Sequence, residues 1–83
     1  MNIVWDERKR LANIQSHGMD FAALNEAFFE ESVMVPAKLG RIAAAGRYHD
    51  GVILVVFAML GTEALSIISM RRASRKERRL IDG

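Results

Sequence analysis

The sequence has no cysteine and only two histidines, and these shortages exclude several kinds of site. Without cysteine the chain can form neither a disulfide framework nor a thiolate zinc site. His17 and His49 are far apart and do not have the spacing of metal ligands. We therefore expect no bound metal and no cofactor.

Long hydrophobic runs are also missing. The longest, Val52–Leu60, is far shorter than the roughly 20 apolar residues that a membrane-spanning helix needs. The segment Met1–Arg10 carries charges and has no apolar core, so it does not resemble a secretory signal. The sequence thus predicts a cytoplasmic protein that makes no contact with a membrane.

The chain is short, and its charge is unevenly placed. Its 83 residues allow one domain, spanning 1–83, with a thin margin of stability. Such domains often gain support from another chain, here a partner protein or a second copy in a homodimer. The net charge is only +2, yet six of the twelve basic residues lie between Arg71 and Arg79. This block predicts an anionic ligand at one place on the surface.

A short strand and a helix are predicted at the N-terminus. Ile3–Trp5 is β-branched and aromatic, and Asp6 is suited to cap a helix over Glu7–Ser16. Gly18 is suited to the left-handed position that ends such a helix. The apolar stripe of this helix would be Leu11 and Ile14.

A second helix is predicted after Asp20, which would be its cap. Apolar residues then recur at helical spacing and are expected in the core: Phe21, Leu24, Phe28 and Phe29. From Ser32 onward the period changes from 3.6 to 2, which is typical of strands.

Four more strands are predicted: Val33–Val35, Arg41–Tyr48, Val52–Met59 and Ala64–Met70. Asp50-Gly51 is a strong hairpin signal, and Val52–Met59 is apolar on both faces, as in a central strand. Ser74 and Glu77 have the spacing of a capping box and predict a last helix. The order predicts an α+β fold in which two N-terminal helices pack on one face of an antiparallel sheet, followed by a short C-terminal helix.

Several segments together resemble the BrnT family of bacterial toxins. In the first half these are Trp5-Asp6, Arg8-Lys9, Asn13, His17-Gly18 and Phe21. In the second half they are Gly61-Thr62-Glu63-Ala64, Ile67-Ile68-Ser69-Met70-Arg71, Ala73-Ser74 and Glu77-Arg78. The resemblance spans roughly residues 3–80.

The resemblance implies a fold similar to that of RelE-type toxins and an endoribonuclease activity that arrests growth. It also implies neutralisation by a ribbon-helix-helix antitoxin of the BrnA kind, and contact with operator DNA only through the toxin–antitoxin complex. The chain departs from many relatives at Ala58-Met59-Leu60, where a charged residue is common.

Cleavage of RNA without a metal needs a proton acceptor for the ribose 2′-hydroxyl, a proton donor for the leaving oxygen, and cations near the phosphorane. Arginine suits the last role because its planar fork binds two oxygens and stays protonated. Arg71 and Arg72 are the candidates for it, expected to lie together in a pocket of the sheet. Glu63 is the candidate general base, and Ser69 is expected beside the arginines.

Further basic residues are candidates for binding the RNA backbone: Arg75, Lys76 and Arg78, which are joined by Arg79 on the last helix, and Lys38 and Arg41 after Pro36. The helical residues are equally consistent with docking to an acidic antitoxin segment or with a solvated helix face. His17 is a candidate general acid, or alternatively a helix-end residue that bonds last-turn carbonyls.

Two other functions remain open from the sequence. One is a nucleic-acid-binding or regulatory module without catalysis, in which the basic helix only docks RNA or DNA. The other is an inactive toxin relative that only binds its antitoxin, which the uncharged Ala58-Met59-Leu60 segment keeps open.

Overall fold

The computed structural model describes residues 1–83 and contains one five-stranded sheet. The strands are β1 (Asn2–Trp5), β2 (Val33–Pro36), β3 (Ile42–Tyr48), β4 (Gly51–Leu60) and β5 (Ala64–Arg72). The helices are α1 (Glu7–His17), α2 (Glu26–Glu31) and α3 (Arg75–Asp82), with short 3₁₀ turns at Phe21–Ala23 and Lys38–Gly40. No helix is both long and apolar enough to cross a membrane.

The sheet is mixed rather than antiparallel. Its strand order is β1-β5-β4-β3-β2, and β1 pairs in parallel with residues 64–67 of β5. The other three pairs are antiparallel. The prediction of a wholly antiparallel sheet was wrong because β1 leads into a helix, so no hairpin sets its direction.

A β-bulge interrupts the pairing of the two longest strands. Val56 is opposite Ser69 and Phe57 is opposite Ile67, so Ile68 is the extra residue. A bulge of this kind bends its strand and re-aims side chains. The bulge lies just after the last residue of β5 that pairs with β1. The part of β5 that follows the bulge has no strand partner on that side, because β1 has ended.

Helices cover both faces of the sheet, which corrects the prediction of helices on one face. The main core lies on the α1–α2 face, where the phenylalanines of residues 21–29 pack on Ile53, Val55 and Ile67. A smaller cluster lies on the other face, where Ile81 of α3 packs against Ala43, Ala45 and Leu54. We call this second surface the α3 face.

Helix α1 begins at the predicted residue and ends one residue later than predicted, at His17, but its buried side was predicted wrongly. Asp6 accepts a hydrogen bond from the Arg8 backbone N–H, and Gly18 ends the helix with φ of 67°. Leu11, predicted to face the core, is 55% exposed, whereas Asn13 is buried. The helix is therefore anchored by a polar side chain instead of an apolar stripe.

The predicted second helix is divided in two. Asp20 caps only the turn Phe21–Ala23, after which Leu24 and Asn25 are extended and Asn25 caps α2. All four predicted core residues of this segment are buried, which confirms their role: Phe21, Leu24, Phe28 and Phe29. The break lets phenylalanines at both ends of the segment reach one core.

The other four predicted strands and the last helix are present, with shifts of one or two residues at the strand ends. The hairpin between β3 and β4 is present, but its turn is His49-Asp50, one residue before the predicted Asp50-Gly51, and β4 is the central strand of the sheet. Ser74 and Glu77 form the capping box at the start of α3. Strand β5 is two residues longer than predicted and ends at Arg72. That extension decides where the arginines point.

Candidate functional site

Arg71 lies on the α3 face and is held there by Glu77. It is paired with Leu54 of β4 and is the last residue but one of β5, shortly before α3 begins. Its Nη1 donates to Glu77 Oε1 over 2.8 Å, and its Nη2 donates to Glu77 Oε2 over 2.9 Å. Glu77 is in turn fixed because its Oε1 accepts from the Ser74 backbone N–H.

Two N–H groups of Arg71 have no acceptor in the protein. A guanidinium group carries five N–H donors. Glu77 takes two of them, and the Arg72 carbonyl oxygen takes a third from Nη1 over 3.2 Å. The groups that remain are Nε–H and the second Nη2–H. They form the side edge of the guanidinium, which has the fork geometry that binds two phosphate oxygens.

The ion pair keeps both partners charged. The hydrogen bonds from Arg71, followed by the backbone N–H of Ser74, lower the pKa of Glu77 to about 2 against the opposing effect of burial. The same bonds raise the pKa of Arg71. With 38% of its side chain exposed, the arginine is a fixed cation that solvent and a ligand can reach.

Ser69 joins Arg71 on the α3 face, but Arg72 does not. Ser69 is opposite Val56 and Arg71 is opposite Leu54, so both point to the side where α3 packs. Arg72 is opposite Ile53 and points to the other side, where its Nη1 lies against Gly51. The expectation that Arg71 and Arg72 share one pocket was therefore wrong, because they are consecutive residues of a strand.

Glu63 is also distant from Arg71. It lies in the turn between β4 and β5, whereas Arg71 is near the other end of β5. The two positions are eight residues apart along the strand, which corresponds to about 25 Å. The expectation of a general base near the arginine is not met by Glu63, which instead lines a shallow groove with Met1, Asn2 and Thr62.

The basic residues of α3 divide between two sides of the helix. Arg75, Arg78 and Arg79 line one shallow groove of about 400 Å³ together with Asp82. Lys76 does not line this groove. The helix side with Glu77 and Ile81 packs on the sheet. The arginines thus form a cationic surface on the side of α3 that faces away from the sheet.

Lys38 and Arg41 lie farther away on the sheet. Lys38 is exposed in the turn Lys38–Gly40, and Arg41 has extended backbone directly before β3, where strand alternation assigns it to the α3 face. The register relates Arg71 to Leu54 and Ala45, so Arg41 is two strands across and four residues along. These steps amount to about 10 Å and about 13 Å.

A third groove, of about 260 Å³, lies between α1 and β5. One wall is the α1 side formed by Lys9, Ala12, Asn13, Ser16 and His17, and the other is Ile68 at the bulge. Only His17 of these was predicted as a candidate catalytic residue, although Lys9 and Asn13 lie in the segments that carry the family resemblance. The spacing of residues 9, 13 and 17, four apart, was the signal that puts them on one helix side.

Among the side chains that often bind metals, no three lie close enough together to form a metal site. Glu77 is the charged group bonded to Arg71, and the α3 face also carries the ion pair of Arg47 with Asp82 over 2.7 Å and the arginines of α3. What the site offers chemically is therefore a fixed guanidinium fork, a neighbouring hydroxyl and a cationic helix.

Comparison with known proteins identifies relatives. Residues 5–77 match the family described as ribonuclease toxin, BrnT, of type II toxin-antitoxin system. The chain is also similar to the crystal structure of the Brucella abortus ribonuclease toxin, BrnT. The two share 47% sequence identity with a TM-score of 0.85, over 90% of this chain and 99% of that chain. None of the curated proteins compared with the chain matches it.

Proposed function

Because this chain belongs to the BrnT family of ribonuclease toxins of type II toxin-antitoxin systems, we propose that it cleaves RNA internally and without a metal ion. In this reaction the ribose 2′-hydroxyl attacks the adjacent phosphorus and the bond to the 5′-oxygen of the next nucleotide breaks. The products are a 2′,3′-cyclic phosphate and a 5′-hydroxyl. The proton of the 2′-hydroxyl passes to water and the 5′-oxygen takes a proton from water, so the part of the protein is to stabilise the dianionic phosphorane.

The observation that carries this proposal is the unused side edge of Arg71. Glu77 occupies the other edge and fixes the plane of the guanidinium, so Nε–H and one Nη2–H are oriented before a substrate arrives. Donors that are already oriented toward developing charge stabilise it without reorganisation. Arg71 would bind two oxygens of the phosphorane, with Glu77 as its positioning residue.

Ser69 and the outer cations would position the RNA. The Ser69 side chain lies on the same face two residues before Arg71, and its hydroxyl has no partner in the protein. It would donate a hydrogen bond to the reacting phosphate. Backbone phosphates on either side would contact Arg75 and Arg78 on α3, with Lys76, Lys38 and Arg41 adding longer-range attraction.

Membership in a type II system implies an antitoxin partner. We infer that this antitoxin is a BrnA-like ribbon-helix-helix protein that binds operator DNA as a complex with the toxin. It would silence the toxin by covering the α3 face. The arrangement of helices and sheet supports a RelE-like fold, and the site would act on cytoplasmic RNA as a monomer or a homodimer.

The test is to incubate the purified chain with RNA in excess EDTA and to identify the product ends. The proposal predicts cleavage with 2′,3′-cyclic phosphate ends. It predicts no cleavage at a position where the nucleotide before the cut is a 2′-deoxynucleotide, because the attacking hydroxyl is then absent. Products with 5′-phosphate ends, or a requirement for added metal, would contradict it. RNA that is bound in a salt-dependent way but remains intact would indicate a non-catalytic binding module instead.

A further inference from the structure

We propose that the groove between α1 and β5 is a second binding site for an RNA backbone phosphate, formed by Lys9, Ser16 and His17. This inference rests on the proposed ribonuclease function, since it assigns a second contact to the same substrate. It concerns a surface separate from the Arg71 site, because the groove lies on α1 and Arg71 is on the α3 face.

The first support is that the walls of the groove are fixed. Asn13 at its base donates from Nδ2 to the Met70 carbonyl oxygen over 2.9 Å and to that of Met19 over 3.0 Å. Its Oδ1 accepts from the Met70 backbone N–H over 3.0 Å. Asn13 thereby replaces the strand partner that β5 lacks after β1 ends. These bonds fix α1 against β5 at a set distance.

The second support is the chemistry of the lining. Lys9, Ser16 and His17 have no hydrogen bond or ion pair through their side chains, and no carboxylate lines the groove. Their available donors are an ammonium group, a hydroxyl and an imidazole N–H. Several donors and a positive charge without a neutralising acid match a ligand with several anionic oxygens, as a phosphodiester has.

The third support is that Lys9 differs from Arg10, the next basic residue of the same helix, in having no acidic partner. Arg10, one position after Lys9, is occupied by two carboxylates: it donates to Asp20 from Nε over 2.7 Å and to Glu7 from Nη1 over 2.7 Å. The acidic residues of this region therefore engage the arginine that faces away from the groove. Lys9 has no ion pair and lines the groove opposite Ile68, the bulged residue of β5.

The experiment measures binding of a short RNA in which every ribose is 2′-O-methylated, so that binding is read without cleavage. Lys9→Met is compared with Arg8→Met, an equal loss of charge at an exposed neighbour that does not line the groove. Lys9→Met should weaken binding roughly tenfold at low salt. It should also reduce the slope of log K against log salt by about 0.7, the value for one phosphate of a single strand.

Arg8→Met should stay close to the unmodified chain in both quantities, and His17→Gln should weaken binding without changing the melting temperature. Equal effects of Lys9→Met and Arg8→Met would overturn the inference, as would failure of the unmodified chain to bind this RNA. So would a Lys9→Met variant that loses antitoxin binding while it keeps RNA binding.

The outcome is separable from that of the proposed catalysis. If the unmodified chain cleaves RNA in EDTA while Lys9→Met and Arg8→Met bind alike, only the groove assignment fails. If the chain binds the methylated RNA with the predicted difference between the two variants but leaves ordinary RNA intact, only the catalytic proposal fails.

Discussion

Asn13 and Met70 are joined by two hydrogen bonds, in which the Asn13 side-chain amide contacts both the backbone N–H and the backbone carbonyl of Met70. The two residues are 57 positions apart in the chain. These two bonds connect α1 to β5 just after the residues of β5 that pair with β1. A buried polar residue therefore does the structural work that an apolar stripe does in most helices.

Replacing Asn13 with leucine should destabilise the fold strongly. The change keeps the volume similar but leaves the Met70 N–H and carbonyl buried without partners. We expect the free energy of unfolding to fall by about 2–4 kcal/mol, as measured by urea denaturation. Gln15→Leu, at an exposed position of the same helix, is the matched control and should change it by less than about 0.5 kcal/mol. Similar values for both variants would contradict the role given to Asn13.

Gly46 is required by its contact with Phe28. A Cβ added at this position would lie 2.6 Å from Phe28 Cε1 and 2.9 Å from Cζ. Gly46→Ala should therefore lower the free energy of unfolding by about 1–3 kcal/mol through overpacking. Gly51→Ala is the control, because its Cβ would meet only the far end of the long Arg72 side chain, which can rotate away.

A second variant distinguishes this clash from a general effect of alanine in β3. Adding Phe28→Leu to Gly46→Ala removes the ring that the new methyl group meets. The two changes should then cost less together than the sum of each alone. Simple additivity would show that the contact with Phe28 is not the cause.

The Arg71–Glu77 pair should make stability depend on acid. The pKa of Glu77 is lowered in the folded chain to about 2, from 4.5, by its hydrogen bonds with Arg71. The stabilisation is therefore fully present above pH about 4.5 and is lost as the pH falls toward about 2. Because both side chains are partly exposed, we expect a loss of about 1–2 kcal/mol across that range.

Urea denaturation at several acidic pH values measures this dependence. Glu77→Gln should be less stable than the unmodified chain above pH about 4.5 and should approach it at pH about 2. Glu30→Gln removes an exposed carboxylate that has no partner and should leave the curve in place. A Glu77→Gln curve parallel to that of the unmodified chain would show that the pair does not stabilise the fold.

Local signals in the sequence predicted what neighbouring residues determine. The Asp6 cap, the Ser74–Glu77 capping box and the hairpin turn at His49-Asp50 all depend on residues within a few positions of each other. The two caps were predicted at the correct residues, and the turn was predicted one residue too late. Membership of the BrnT family was also predicted from the sequence, because the resemblance depends only on the order of residues along the chain.

The contacts between distant residues could not be predicted in the same way. The parallel pairing of β1 with β5 and the packing of α3 on the second face depend on how the chain returns to the sheet. For the candidate site, the prediction ended the last strand at Met70. The strand continues to Arg72, so Arg71 and Arg72 alternate between faces instead of lying together.

The site accordingly depends on one arginine of the pair, and the two can be compared directly. Arg71→Ala and Arg72→Ala each remove one positive charge, and the two residues are adjacent in β5. Only Arg71 has its guanidinium fixed by Glu77 on the α3 face. Arg71→Lys keeps a charge near Glu77 but lacks the fork, so it separates loss of catalysis from loss of the ion pair.

The most direct measurement is the rate of RNA cleavage in excess EDTA for Arg71→Ala, Arg71→Lys and Arg72→Ala, with folding of each checked by circular dichroism. We predict that both Arg71 variants lose about 10²–10³-fold in kcat while still binding RNA. We predict that Arg72→Ala stays within about threefold of the unmodified chain, as expected for a cation on the opposite face. Equal losses at the two positions, or an Arg71→Lys variant as active as the unmodified chain, would contradict the account.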